Sequence, residues 1–319
     1  MTGISVVIVT YRRPAGLATV LDALAEQSRP PTEILVIDNA PDHSEAREVC
    51  ERVDRRLPVR YLPHPQNSLP AARNTGVRTA TGTFVALLDD DVQIGADYLR
   101  TTVGFLEADP TVVGVQGYIP VTSQTPLREW IYRAFSLYHL EADRCRVLAS
   151  ISTTYPAPLT RAVTCEWLSG TNQVYRREAL VTIPWDEQLR RYADGEDLDH
   201  SFRVSRRHPA GLAITPAAIV HHDEAPEGRT TGFDLIAMRE LYGWYLLHKL
   251  FPRSAGARAT YLWSRIGRTL IGIGVAGTRR RPGGTQELID LVRAFALVWR
   301  HRTDLRNGRL DRVNAAMKW

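Results

Sequence analysis

Three consecutive carboxylates, Asp89-Asp90-Asp91, follow directly on the apolar run 84–88. Their mutual repulsion is costly unless a cation or several hydrogen-bond donors sit among them. An oxygen-only ligand set of this kind selects Mg²⁺ or Mn²⁺, with substrate phosphates completing the shell. Thr10-Tyr11 and Asp38-Asn39 end the apolar runs 5–9 and 33–37 in the same way. Taken singly, Asp38 or Asp91 reads equally well as a helix cap. A second acidic cluster stands far downstream in Tyr192-Ala193-Asp194-Gly195-Glu196-Asp197-Leu198-Asp199. Two readings fit it: acids paired with a helix dipole, or a general base whose pKa a closed cleft tunes. His221-His222, next to Asp223 and Glu224, end another strand-like run and are structural or metal-ligating. No GxxxxGK[ST] loop is present and no GxGxxG follows the first run, which argues against a P-loop NTPase or a dinucleotide enzyme.

The elements that must position these groups alternate. Runs at 5–9, 33–37, 59–62, 84–88 and 112–116 read as strands, and 14–27, 43–56, 69–80 and 96–108 as helices. That order predicts βα units, a parallel sheet, and a ligand site beyond the carboxyl ends of its strands. The pattern loosens over 118–165. It returns with 167–180 (a helix starting at Arg177), a helix over about 195–207 and a strand at 213–220. From 233 onward the chain reads as helical. Ile236, Leu241, Tyr245 and Leu250 form one apolar stripe, and Leu288, Val292, Phe295 and Trp299 another.

The 319 residues are 44% hydrophobic and 24% charged, a globular composition that excludes disordered, collagen-like and coiled-coil chains. The formal charge of +5 is unevenly placed. Residues 253–319 hold 14 Lys and Arg against four Asp and Glu, leaving 1–252 with 26 basic and 31 acidic residues. The body is acidic and the tail basic. Cys50, Cys145 and Cys165 show no metal or disulfide spacing, which fits a reducing cytosol. The chain runs straight into its first strand, so no signal peptide is expected. The apolar run 266–277 is too short, and broken by Arg268, to span a bilayer.

Taken together, the motifs and their order resemble the GT-A fold, inverting glycosyltransferases of family 2, over about residues 3–230. Ser5-Val6-Val7-Ile8-Val9-Thr10-Tyr11 is similar to the family's opening strand, and Ile37-Asp38-Asn39 to the second, whose Asp meets the nucleotide base. Pro70-Ala71-Ala72-Arg73-Asn74-Thr75-Gly76 resembles the ARNxG segment. Leu87-Leu88-Asp89-Asp90-Asp91 resembles the DxD motif. Gly170-Thr171-Asn172-Gln173-Val174-Tyr175-Arg176-Arg177-Glu178 is similar to the stretch lining the donor-sugar and acceptor side, and Gly195-Glu196-Asp197 to the ED motif. One departure is that Asn67-Ser68 passes straight to Leu69-Pro70, where such proteins carry a glycine.

The resemblance implies an α/β fold with a Rossmann-like, mostly parallel central sheet flanked by helices. It would comprise a nucleotide-binding half over 1–117, an acceptor-side half over 118–230, and a basic helical extension over 231–319. Thr10, Tyr11, Arg13, Asp38, Arg73, Asp89 and Asp90 would face the nucleotide. Asp91, with Asp89 nearer the ribose and His221 or His222 in addition, would hold Mn²⁺ or Mg²⁺. Trp167, Gly170, Thr171 and Asn172 would line the sugar side, and Asp197, beside Glu196, would be the catalytic base. The implied donor is a nucleoside-diphosphate sugar, UDP- or dTDP-linked in the first place and GDP-linked in the second. The acceptor is a hydroxyl on a glycan, a lipid-linked carrier or a small molecule.

Two rival functions are weighed against this. A sugar-1-phosphate nucleotidyltransferase wants glycines where Thr10-Tyr11-Arg12-Arg13-Pro14 has none. A nucleic-acid binder would explain the tail, but no helix-turn-helix, zinc or RNP-like pattern is present, so no nucleic-acid partner is expected. For the tail, with Arg265, Arg268 and Arg279-Arg280-Arg281 interleaved with Tyr261, Trp263 and Ile271, two readings stand equal. One is a solvated face on helices that pack on the domain or another subunit. The other is peripheral contact of a cytoplasmic enzyme with anionic lipid at the inner face of the membrane.

Overall fold

The computed structural model describes residues 3–43, 45–53, 57–121, 125–223, 230–277, 284–317 and 319. Residue 44 and residues 54–56 of the expected 43–56 helix, Glu224, and the run Arg279-Arg280-Arg281 lie outside them. The first half is built as the alternation predicts. β1 (Ile4–Thr10), α1 (Pro14–Ala25), β2 (Glu33–Asp38), α2 (Ala46–Val53), β3 (Val59–Pro63), α3 (Leu69–Thr79) and β4 (Phe84–Asp89) follow in turn. β5 (Val92–Ile94), α4 (Tyr98–Ala108) and β6 (Gly114–Tyr118) complete it.

β3, β2, β1 and β4 pair in parallel, in that spatial order. Because side chains alternate across a sheet, β1 feeds two cores. Ile4, Val6 and Ile8 meet Leu17, Val20, Leu21 and Leu24 of α1 on one face. Val7 meets Ala72 and Val77 of α3 on the other. Burial on both faces explains why these strands read as continuous apolar runs. α3 approaches closely: a Cβ on Gly76 would lie 2.3 Å from Val7 Cγ1.

Between β6 and the second acidic cluster the chain forms α5 (Pro126–Ala134) and a small three-stranded sheet of β7 (His139–Leu140), β8 (Val147–Leu148) and β9 (Ser152–Tyr155). β10 (Val163–Thr164), β11 (Asn172–Arg176), α6 (Arg177–Thr182), α7 (Glu196–Arg207) and β12 (Leu212–His222) follow. β11 returns from this excursion without a crossover helix, and it pairs antiparallel to both β4 and β6. The central sheet is therefore parallel around β1 and mixed beyond β4; among the described residues it has nine strands.

Helices α8 (Gly232–Leu250), α9 (Ala255–Gly277), α10 (Gly284–Arg306) and α11 (Leu310–Met317) close the chain. On α8, Leu241 and Tyr245 of the expected stripe are buried. On α10 the expected stripe is divided: Leu288 and Phe295 are half-buried, Val292 is 57% and Trp299 69% exposed, and Leu291, Ala294 and Leu305 form the buried face. Helical spacing identifies a face but not its direction, and α10 carries apolar residues on both sides. Among the described residues no helix is long and apolar enough to cross a membrane.

Candidate active site

The carboxyl ends of β1 and β4 come together around Asp90. Thr10, the last residue of β1, donates its hydroxyl to Asp90 Oδ2 at 2.7 Å. Arg13, capping α1, places Nη1 2.9 Å from Asp90 Oδ1 and 3.0 Å from Asp91 Oδ2. Thr10, Tyr11, Arg13, Asn39, Asp89 and Asp90 line a pocket of about 310 Å³. Asp38 does not line it. Its side chain is fully buried, with Oδ1 accepting from the Ala40 N–H at 3.0 Å and Oδ2 from the Tyr61 hydroxyl at 2.8 Å. Asn39, one residue on, is the group that faces the pocket.

Asp89, Asp91 and His222 each offer a ligand atom, and these atoms lie within 4.8 Å of one another. His222 Nε2 is 3.1 Å from Asp91 Oδ1. The two adjacent histidines are separated by the strand's period of two, which sends consecutive side chains to opposite faces. His222 turns to the acids, while His221 is exposed, so of the two candidate histidines it is His222 that stands beside Asp89 and Asp91. Asp90 turns away from the trio toward Thr10 and Arg13. Burial pushes Asp89 above the ordinary carboxylate range, and it pushes Asp90 up to about 6 against the pull of Arg13 and Thr10. Two carboxylates and an imidazole with ligand atoms this close together fit a divalent cation.

The second acidic cluster joins the first through Arg73 on α3. Arg73 is 3% exposed; Nη2 donates to Asp89 Oδ1 at 3.0 Å and to the Gly170 carbonyl at 2.9 Å, and Nη1 to Glu196. Burial opposes the Arg73 charge, but Glu196, Asp89 and Asp197 more than offset that and raise its pKa. The Gly170 N–H donates in turn to Asp197 Oδ2 at 3.0 Å, and the Leu198 N–H to Oδ1 at 2.8 Å. A Cβ on Gly170 would stand 2.9 Å from Arg73 Nη2 and 3.1 Å from Glu196 Oε1, so a larger residue there would have to displace the Arg73 and Glu196 side-chain ends. Gly195 caps α7 with φ +87°, a left-handed conformation that glycine adopts without strain.

Glu196 and Asp197 thus lie in the first turn of α7, where the dipole favours negative charge. Burial nevertheless dominates: it pushes Glu196 up to about 8 against Arg73, and raises Asp197 against the Gly170 N–H and Arg73. Ser169, Gly170, Thr171, Asp89, Asp91, Glu196, Asp197 and His222 line a second pocket of about 330 Å³. Arg13, Leu69, Asp89 and Tyr192 border both pockets.

Two residues expected on the sugar side stand outside these linings. The Trp167 indole N–H donates to the Thr154 carbonyl at 3.0 Å, tying it to β9. Asn172 is fully buried, and its Oδ1 accepts from the Gly117 N–H at 2.8 Å and the Tyr98 hydroxyl at 3.3 Å, which clamps β11 to β6 and α4. Asn39, Ser169 and Tyr192, absent from the expected site, line it. Each adjoins a motif residue in sequence, and that adjacency was the available signal. The missing glycine also has a local account: Ser68 is the N-cap of α3, its Oγ accepting from the Ala71 N–H at 3.4 Å.

The profile of "Glycosyl transferase family 2" matches residues 5–183. The succinoglycan biosynthesis protein ExoM of Rhizobium meliloti (strain 1021) is 35% identical over 240 residues, covering 72% of this chain and 69% of ExoM. The match spans only part of the length of three other curated relatives, 12%, 22% and 36% of them. Among solved structures, the mannosyltransferase PcManGT from Pyrobaculum calidifontis, in complex with GDP-Man and Mn²⁺, superposes with a TM-score of 0.55 at 17% identity, over 99% of this chain and 86% of that one. S. aureus TarS 1–349 in complex with UDP-GlcNAc gives 0.51 at 13% identity, over 97% and 88%.

Proposed function

The chain belongs to glycosyl transferase family 2 and has its GT-A fold, and from that premise we propose metal-dependent, inverting sugar transfer from a nucleoside-diphosphate sugar to a hydroxyl acceptor. The observation that carries the reading is that Asp197 borders the same 330 Å³ pocket as the trio Asp89, Asp91 and His222. A base and a candidate diphosphate anchor thus share one chamber of a size suited to a sugar.

Asp197 accepts the proton of an acceptor hydroxyl as its oxygen attacks the anomeric carbon and the bond to the diphosphate oxygen breaks. A single displacement assisted by one base inverts that carbon. The Gly170 and Leu198 N–H groups hold both oxygens of Asp197 in place for the transfer. Glu196, taken up by Arg73, positions Arg73 and with it Gly170 and does not itself move the proton. Asp89, Asp91 and His222 would hold a Mn²⁺ or Mg²⁺ ion, which supplies Lewis-acid neutralisation of the leaving diphosphate. Thr10, Tyr11, Arg13 and Asn39 form the wall for the nucleotide.

Support for the donor class comes from two neighbours of the same fold, one solved with GDP-Man and Mn²⁺ and one with UDP-GlcNAc. A thermal-shift panel of UDP-, dTDP- and GDP-sugars with and without Mn²⁺ tests the reading. One base class should raise the melting temperature only with the metal; no shift with any of them counts against it.

A further inference from the structure

Two further cavities lie in this half of the chain: the first shares wall residues with the Asp197 pocket, and the second shares Arg265 with the first. The first, about 870 Å³, lies between the acceptor-side segment and helices α8, α9 and α10. Asp194 and Gly195, which border the Asp197 pocket, also border this cavity. Its inner end is polar, with Asp194 accepting from Arg239 Nε at 3.2 Å. Deeper in, the walls are Ile236, Leu246, Ile271 and Leu288, faced by Tyr132 and Tyr138.

Arg265 borders the first cavity and also a second, a groove of about 680 Å³ on α9 and α10. Its charge is satisfied within the protein, since buried Glu240 pairs with both Arg265 and Arg268 at 3.0 Å. The groove is lined by Leu262, Ile266, Leu270, Phe295 and Trp299, and all but Phe295 are at least half exposed. A contiguous apolar strip of this kind marks an interaction site.

We infer that the acceptor is an amphiphile, a hydroxyl-bearing polar head joined to an apolar hydrocarbon anchor. The head occupies the 870 Å³ cavity with its hydroxyl toward Asp197, and the anchor passes Arg265 onto the α9–α10 groove. The wall that the inner cavity shares with the Asp197 pocket at Asp194 and Gly195 argues for this occupant over a second copy of the chain, which would leave that cavity unexplained. Charge agrees with it: the segment 253–319 carries 14 basic residues against four acidic ones, complementary to the anionic surface in which such an anchor resides. The inference rests on the transfer reading above and adds the class of acceptor to it.

The test is binding of methyl, octyl and dodecyl β-glucosides below their micellar concentrations, read by calorimetry and by the fluorescence of the groove tryptophans. Affinity should rise about threefold to fourfold for each methylene buried. Ile236→Asp in the cavity and Leu270→Asp in the groove should each flatten that dependence, the alanine variants should reduce it, and Val181→Asp on exposed α6 should leave it intact. Binding of UDP or GDP with Mn²⁺ to each variant reports that the nucleotide side is folded. Equal binding of methyl and dodecyl glucoside, or a chain-length dependence that survives both aspartate substitutions, overturns the inference. Failure of wild type to bind any nucleoside diphosphate with Mn²⁺ would instead strike the transfer reading.

Discussion

The backbone N–H of Gly170 lies 3.0 Å from Asp197 Oδ2, so the strand-side loop aims the carboxylate that begins α7. The carbonyl of the same glycine accepts from Arg73 Nη2 at 2.9 Å, which fixes the peptide from its other side. Asp197→Asn keeps the shape and removes the proton acceptor. It should lower transfer about 10²- to 10⁴-fold while nucleotide-sugar binding stays near wild type. Parallel losses of turnover and of binding, measured by kinetics and calorimetry, would argue for a binding role instead.

The pH dependence follows from the same residue. Burial holds the Asp197 carboxyl above its ordinary range despite the Gly170 N–H and Arg73. A base acts only when deprotonated, so turnover should rise with pH, with the acid limb displaced above the usual carboxylate range. A kcat profile flat down to pH 4 contradicts this assignment.

Removal of candidate ligands should sort the histidines. Asp91→Ala and His222→Ala should each abolish the Mn²⁺-dependent part of nucleoside-diphosphate binding, whereas His221→Ala, on the opposite face of β12, should not change it. Calorimetric titration of UDP and GDP with and without Mn²⁺ reads all three. An effect of His221→Ala equal to that of His222→Ala would refute the placement.

Gly76 tests the fold beneath the site. A Cβ there would meet Val7 Cγ1 at 2.3 Å, so Gly76→Ala must push α3 off β1 or shift Val7. Overpacking of this kind costs about 1–3 kcal/mol, visible as a lower denaturation midpoint. Because α3 carries Arg73, activity should fall with it; an unchanged midpoint would show that the helix moves freely.

Lys249 ties α8 to α7, the helix that carries Glu196 and Asp197. Its Nζ is 2.6 Å from Asp186 Oδ2 and 2.8 Å from Asp199 Oδ1 on α7. Asp199 keeps Arg203 as a partner, so Lys249→Met should cost about 1–3 kcal/mol. Burial alone would raise the Asp186 carboxyl, but Lys249 and Tyr245 more than offset it and hold it below the ordinary value. That stabilisation is present above the unfolded pKa and lost as pH falls through the folded one. The difference in Tm between wild type and Lys249→Met should therefore narrow in acid; a constant difference contradicts the linkage.

Asp89-Asp90-Asp91 and Glu196-Asp197 were legible because each is a contiguous run at the end of one element, and the alternating runs up to residue 116 announced the sheet. What needed three dimensions was facing. His221 and His222 differ only in the face of β12 they occupy, which the pairing of His222 with Val92 fixes. Asn39 rather than Asp38 lines the pocket because the Tyr61 hydroxyl claims the carboxylate from the neighbouring strand. The divided α10 stripe, half-buried at Leu288 and Phe295 and exposed at Val292 and Trp299, needed its packing partners. The acceptor-side segment was illegible because α5 buries none of its described residues and β7, β8 and β9 are two to four residues long, too short for periodicity to show.

The most direct test of sugar transfer is the identity of the phosphorus product released when the chain turns over a UDP-, dTDP- or GDP-sugar with Mn²⁺, followed by ³¹P NMR. The geometry predicts a nucleoside diphosphate, released far more slowly by Asp197→Asn. Inorganic pyrophosphate formed from a nucleoside triphosphate and a sugar 1-phosphate, with no nucleoside diphosphate from any sugar nucleotide, would contradict it.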